Sequence, residues 1–289
     1  MENIFHYHYY IKNIIMIKIS GTLGLTIVET NGNYFLFFFD DHNKTSYCDN
    51  DNNYFVDDFI KLLLKKHDNV CIFLEEYYNS DEYQLIWQNE HVKKLQSFVN
   101  EIKNKKVCYY LTDVRLLLIP ISFELLDDKS EYIDVTVDVF FENVIKILYI
   151  KESKKDNLPK IIVELYDKIK KKINEYIIPY KNKTMRTYIK KIKKSHILSL
   201  MDDIMEFYSI CKIYDSNSDI NIIYYGLAHS LFFVSTLFKL FECKIILNNG
   251  ITFTCDNNNI YFNNILIDEI LEKQNFDLFK DNINCSIIS

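Results

Sequence analysis

Arginine, proline, glycine and tryptophan are scarce in this chain. Three prolines and five glycines in 289 residues are too few for a collagen-like, loop-rich or intrinsically disordered protein. Arginine occurs only at Arg115 and Arg186, so the bidentate phosphate-gripping side chain favoured at nucleic-acid surfaces is almost missing. No apolar run is long enough to span a bilayer, and the most apolar late stretch, 231–241, is short and contains Lys239. The opening MENIFHYHYYIKNIIMIKI is broken by His, Tyr, Asn and Lys, which is not a secretory pattern. Cys48, Cys71, Cys108, Cys211, Cys243, Cys255 and Cys285 are odd in number and form no C-x-x-C pair. Neither a disulfide framework nor a zinc ribbon is therefore indicated, and a reducing compartment fits best. The expectation is a soluble, cytoplasmic protein.

What is abundant points the same way. Hydrophobic residues make up 48% and charged residues 26%, a balance ordinary for a globular protein. Twenty-two Tyr and 21 Phe supply material for a sizeable core. The excess of Asn, Ile, Lys and Tyr suits an AT-rich genome such as that of a large DNA virus or a protist, and localisation would then be host cytoplasm or virion. Residues 1–15 differ in character from the rest, so the expected organisation is an N-terminal extension followed by a single α/β domain over 16–289. His6 and His8 share one face if that extension is extended, which would permit a metal pair.

Along the chain, hydrophobic periodicity alternates between strand and helix. From Met16, MIKISGTLGLTIVET gives strand, turn, strand. The continuous run Tyr34 to Phe39 (YFLFFF) indicates a strand buried on both faces, as in a parallel sheet. An amphipathic helix over 54–66 follows, with Phe55, Phe59, Leu62 and Leu63 at helical spacing. A second strand is expected at 69–74, a helix at about 90–103 and a third strand at 107–111, giving the alternation of βαβ units. Residues 130–214 are expected to be mostly helical. Within them, a basic segment over 151–200 stands out: residues 151–194 carry a balance of +10, leaving −16 for the rest of a chain of net charge −6. Such a segment is a solvated helical face or a contact for an acidic partner. A helix over 197–213, a fourth core strand at 221–225 and an apolar helix to Phe241 come next. A C-terminal β-hairpin is expected around Asn248-Asn249-Gly250, with a second turn at 256–259. The fold class is thus α/β, with a central mostly parallel sheet flanked by helices, a long helical insertion and a C-terminal hairpin.

The four core strands all end in polar residues: Asp40-Asp41-His42, Glu75-Glu76, Asp113 with Arg115, and Gly226 leading to His229. Ligands of parallel α/β sheets bind beyond the carboxyl ends of the strands. Imidazole and carboxylate donors there suit a divalent metal such as Zn, Mn, Fe or Co, with His42, His229 and Glu75 as the ligand set and a position left for water. Without a metal, a His or Glu would act as general base while Arg115 steadies an oxyanion. Alternation along a strand puts Glu75 and Glu76 on opposite sides, so one of them is expected to face solvent, and Glu75 is preferred for the site. Asp113 and Arg115 point the same way and would equally form a salt bridge that positions the loop. Asp202, Asp203 and Glu206 are expected on a solvated helix face.

Strand-DDHN, strand-FLEE about thirty residues on, TDVR after the next βα unit and a late strand-GLAH entering a helix together resemble the Tiki, TraB, ChaN and erythromycin-esterase superfamily over residues 16–245. That resemblance implies a hydrolase acting on a peptide or ester bond, metal-dependent in some members, with haem-binding members too. It assigns His42 and His229 as ligand or base, Glu75 or Glu76 as ligand or base, and Arg115 as an anion stabiliser. The early motif here reads DDHN where the family has a Gly before the His, and the late motif has a single His. The alternative is a catalytically silent member serving as a viral or host-interaction binding protein. A third reading is haem binding through His42.

Overall fold

The computed structural model describes residues 17–40, 53–77, 94–95, 97–98, 106–149, 158–251, 253–257, 259–273 and 286–288. Two compact units emerge, one drawn from within 1–75, 83–110 and 216–289, the other from within 76–82 and 111–215.

The first unit is organised by its strand-forming aromatic and β-branched runs. In chain order these are β1 (Ile17–Ser20), β2 (Gly24–Thr30), β3 (Asn33–Asp40), β4 (Asn53–Phe55), β5 (Asn69–Tyr77), β6 (Lys106–Asp113), β7 (Ile220–Gly226) and β8 (Lys244–Asn249). Six of them form one sheet in the order β6-β5-β7-β3-β2-β8. β7 lies parallel to both β3 and β5, while β2 and β8 extend the sheet antiparallel. The expected mostly parallel α/β sheet is present. Phe37, Phe38 and Phe39 are each 0% exposed, as the unbroken YFLFFF run requires. Burying each such ring stabilises the fold by roughly 1.5–3 kcal/mol.

Helix α1 (Val56–Lys66) follows β4 and is amphipathic, but it buries Val56, Ile60 and Leu64 instead of the expected Phe55, Phe59, Leu62 and Leu63. Phe55 ends β4 and is 43% exposed, and the other three are only half-buried. After β7 the chain turns at Gly226 directly into helix α4 (Leu227–Leu240), which packs on β3 and β7. Helices α2 (Lys160–Tyr176) and α3 (Lys194–Tyr214) precede it in the second unit, and α5 (Ile267–Lys273) follows it. Ser235 of α4 donates to Asp268 of α5 at 2.6 Å. The buried amide of Asn221 is satisfied locally, donating to the Ser218 carbonyl at 3.0 Å and accepting from the Ser216 hydroxyl at 2.6 Å.

One hairpin follows simple turn chemistry and one expected turn does not form. Asn31-Gly32 joins β2 to β3 as a two-residue hairpin, with both residues at positive φ (52° and 83°), the geometry that Asn-Gly favours. Among the described residues, by contrast, Asn248-Asn249-Gly250 does not join a hairpin between 244–247 and 251–255. The open edge of β2 takes β8 instead, pairing Leu25 with Asn249 and Thr26 with Asn248. The C-terminal hairpin forms one turn later, between β9 (Thr254–Asp256) and β10 (Asn259–Phe262), and β11 (Ile265–Leu266) completes an antiparallel three-stranded sheet. A third sheet orders β12 (Ser286–Ile288), β1 and β4.

Gly250 sits at φ 82°, and a Cβ there would run into the Leu23 carbonyl and, at 2.7 Å, the Gly24 Cα. Gly32 has a similar φ but open space around it. Gly250→Ala is expected to lower stability by roughly 1–3 kcal/mol, and Gly32→Ala by less, as read by urea unfolding of both variants.

The second unit is helical. Along α2 the buried residues Ile162, Tyr166, Ile169 and Ile173 recur every three or four positions and form one stripe. They meet the buried face of α3 (Ile197, Leu200, Met201, Ile204). Phe123, Phe140, Phe141 and Tyr188 form an aromatic cluster of edge-on and tilted rings in the same core. The Tyr188 ring is fully buried and its hydroxyl finds no hydrogen-bond partner among the described residues. Tyr188→Phe removes that stranded polar group, so its Tm is expected to equal or exceed that of the wild type, measured by differential scanning fluorimetry.

Part of the basic segment is offset within this unit. Lys168 and Lys172 both pair with Asp203, and Arg186 pairs with Asp128 and Asp134. The Lys194 ammonium donates to the Glu124 and Leu126 carbonyls. Asp203 is only 10% exposed, so it does not lie on a solvated face as expected from the sequence. Among the described residues, no helix is long and apolar enough to cross a membrane.

Candidate functional site

Parallel pairing sets the site. β7 aligns Asp40 with Gly226 on one side and Leu74 with Tyr224 on the other. The ends of β3, β7 and β5 therefore share one edge of the sheet, carrying Asp40, Gly226 and Glu75. The strand following β5 in the chain, β6, lies outward on one side, while the strand following β7, β8, lies on the other side. β5 and β7 are thus a point where successive connections diverge, the place where open α/β sheets form their ligand crevices.

The polar chemistry at that point comes from Glu75 and His229. Five residues of β5, Val70 to Leu74, are buried and apolar, and the strand then delivers a carboxylate with 7% side-chain exposure. A carboxylate so enclosed must be hydrogen-bonded. Glu75 Oε2 accepts the Gly226 N–H at 2.7 Å, and this bond turns Oε1 towards His229. His229 stands in the first turn of α4, its Nε2 3.7 Å from Glu75 Oε1 and its side chain 15% exposed. Asp40, 4% exposed, adds a second carboxylate at the same edge, and the N-terminal end of α4 contributes a positive dipole.

At 3.7 Å the carboxylate faces the imidazole at ion-pair distance, longer than a hydrogen bond, and can stabilise it when protonated. The arrangement also suits a cation. Two donors on a tetrahedral metal at ~2.1 Å lie roughly 3.4 Å apart, close to the 3.7 Å between His229 and Glu75. Among the described residues no three or more His, Cys, Asp or Glu side chains form a metal-holding group. His42, the other expected ligand, lies outside the described residues, as do Asp41, His6 and His8.

The remaining candidates fall elsewhere. Glu76 is 3% exposed, so neither member of the Glu75-Glu76 pair faces solvent. β5 continues to Tyr77 instead of ending at Leu74, which keeps both glutamates within the strand. Asp113 and Arg115 belong to the second unit and take the salt-bridge form. The Arg115 guanidinium grips Asp113 through both oxygens, Nε to Oδ1 at 2.8 Å and Nη2 to Oδ2 at 2.6 Å, and Nη1 reaches Asp202 at 2.9 Å. Asp113 is 2% exposed, so the guanidinium compensates a buried charge. Asp202, expected on a solvated helix face and 40% exposed, also accepts from Arg115, a bond that nothing in a pattern of 3.6 residues announces across 87 positions.

Comparison with protein families, with curated proteins and with solved structures finds no match to this chain.

Proposed function

We propose that this chain is a hydrolase of the peptidase or esterase type, a divergent relative of the Tiki/TraB-like enzymes, working at the shared edge of β3, β7 and β5. The observation that carries the proposal is the Gly226–Glu75–His229 arrangement at the point where the strand connections diverge. In this reading Glu75 holds the imidazole through Nε2. His229 then takes a proton from water through Nδ1 as that water attacks a carbonyl carbon, and returns it to the departing amine or alcohol. The peptide N–H of Gly226 holds Glu75 in place. A divalent ion (Zn, Mn, Fe or Co) held by His229, Glu75 and His42 would supply an activated water in the same position.

The test is a panel of activated esters and fluorogenic peptides, run with elemental analysis of the purified chain. Wild type is compared with His42→Ala, Glu75→Gln and His229→Ala. Hydrolysis lost in His229→Ala and Glu75→Gln supports the proposal. Hydrolysis that survives in both, or is absent from wild type across the panel with and without added metal, overturns it.

A second reading, a binding protein for an acidic partner, is favoured by Lys183, Lys190, Lys191 and Lys193. These four are exposed, lie in a fourteen-residue stretch (181–194) without a single acidic residue, and have no carboxylate partner among the described residues. Charge reversal of all four would abolish capture of that partner and leave the hydrolytic panel untouched.

A further inference from the structure

β6 is an edge strand of the main sheet and has β5 as its neighbour. The rings of Phe73 on β5 and Tyr110 on β6 stack with centroids 5.4 Å apart and planes 17° from parallel. This contact sets Phe73 and Tyr110 on the same face of the two neighbouring strands. Phe73 and Tyr110 are 37 positions apart in the chain, and so are Cys71 and Cys108, each two residues earlier on its own strand. Side chains alternate along a strand, so both cysteines project from the face that carries the stacked rings, side by side. Burial, and next the neighbouring Cys108, push the Cys71 thiol up to about 12. Adjacent strands stand ~4.8 Å apart, within the roughly 4.4–6.8 Å between Cα atoms that a disulfide spans. Both residues are free thiols in the structure, Cys108 exposed and Cys71 only 1% exposed.

We infer that Cys71 and Cys108 form a reversible redox pair, converted by a hydroperoxide into a disulfide that staples edge strand β6 to β5. In the first step the exposed Cys108 sulfur attacks the peroxide, giving a sulfenic acid and releasing water or an alcohol. In the second step the Cys71 sulfur displaces hydroxide from the Cys108 sulfur, forming the S–S bond and a second molecule of water. Two thiols lose two electrons and two protons in total, and the O–O bond is reduced. A dithiol reductant reverses the change. Among the described residues β6 is paired on one side only, and the staple holds that edge strand. Cys71 is the third residue of β5 and Glu75 the seventh, so the redox pair and the hydrolytic proposal stand or fall separately.

Other thiols of the chain give the internal control. Burial pushes Cys211 and Cys243 up to about 12. Cys71 is pushed up to the same value, so at neutral pH none of the three should attack peroxide directly. Cys71 differs in having the exposed Cys108 beside it, and it reacts only once that neighbour is a sulfenic acid. In the experiment the full, folded chain is reduced, freed of reductant and treated with hydrogen peroxide at pH 7. Remaining thiols are then alkylated, and the chain is digested without reduction for mass spectrometry. The expected product is a Cys71–Cys108 cross-linked peptide that vanishes with dithiothreitol, accompanied by a rise in Tm. Cys71→Ala should leave a Cys108 sulfenic acid that dimedone traps. Because Cys108 is exposed, Cys108→Ala should fold normally and leave Cys71 reduced. Peroxide that drives Cys108 to sulfinic acid in the wild type without the cross-link overturns the inference. So does a disulfide that joins either residue to a different cysteine.

Discussion

Replacing His229 by Ala should lower kcat for ester or peptide hydrolysis by about 10²–10⁴-fold, the usual contribution of a positioned proton-transfer group. The fold should survive. His229 sits in the first turn of α4 at the sheet edge and keeps part of its ring in contact with solvent, so its removal should change stability by no more than about 1 kcal/mol. Glu75 gives a sharper test because it has one hydrogen bond, to Gly226, and one longer charge contact, to His229, to lose. Glu75→Gln keeps an oxygen for the Gly226 N–H but loses the charge facing His229, so it should reduce kcat strongly with little change in Tm. Glu75→Ala leaves the Gly226 N–H without its acceptor, which should add a stability loss of roughly 1–3 kcal/mol. Steady-state kinetics and urea unfolding on the same three variants separate the two roles. A Gln variant as active as wild type would mean that the carboxylate does nothing for the imidazole.

The second large effect is expected at Arg115, and it should appear in stability. Asp113 is a buried carboxylate held on both oxygens by one guanidinium. Removing one member of such a pair leaves an uncompensated charge, a loss of several kcal/mol. Because Arg115 keeps about a quarter of its surface exposed, Arg115→Ala should cost about 3 kcal/mol, at the lower end of that range. Arg115→Lys should recover only part, since an ammonium cannot reproduce the two parallel bonds. Asp202 is 40% exposed, and Asp202→Asn should cost less than about 1 kcal/mol. If Arg115 instead stabilised a reacting anion, the Ala variant would keep its urea midpoint and lose kcat.

The strands that carry the site were legible because each is a short apolar run that stops at a charge. Such a run is buried wherever it packs, so YFLFFF and the NIIYYG run at 221–226 identified themselves without tertiary information. Their common direction followed from the helical patterns between them. The hairpins were harder. Asn31-Gly32 carries the dipeptide that a two-residue turn needs, and the structure uses it. Asn249-Gly250 carries the same dipeptide, yet the unfilled edge of β2 competes for β8 and wins. Local turn chemistry does not contain that competition. Glu75 could be placed from its strand-end position, but its bond to the Gly226 peptide depends on β7 inserting between β5 and β3, and that order is a property of the whole sheet. The Arg115–Asp202 bond was invisible for the same reason. The split of the acidic α3 residues, one to Arg115 and one to the lysines of α2, needs three elements in place before it exists.

The claim on which the proposed chemistry depends is that Glu75 holds His229 through Nε2. Long-range ¹H–¹⁵N correlation spectra of the histidine-labelled chain report which ring nitrogen of each imidazole carries the proton. The expected result is a His229 imidazole with its proton on Nε2 in the wild type. That pattern should change in Glu75→Gln while the other six histidines (seven in the chain) keep their signals. A His229 signal identical in the two proteins would contradict the claim and leave the sheet edge without an oriented base.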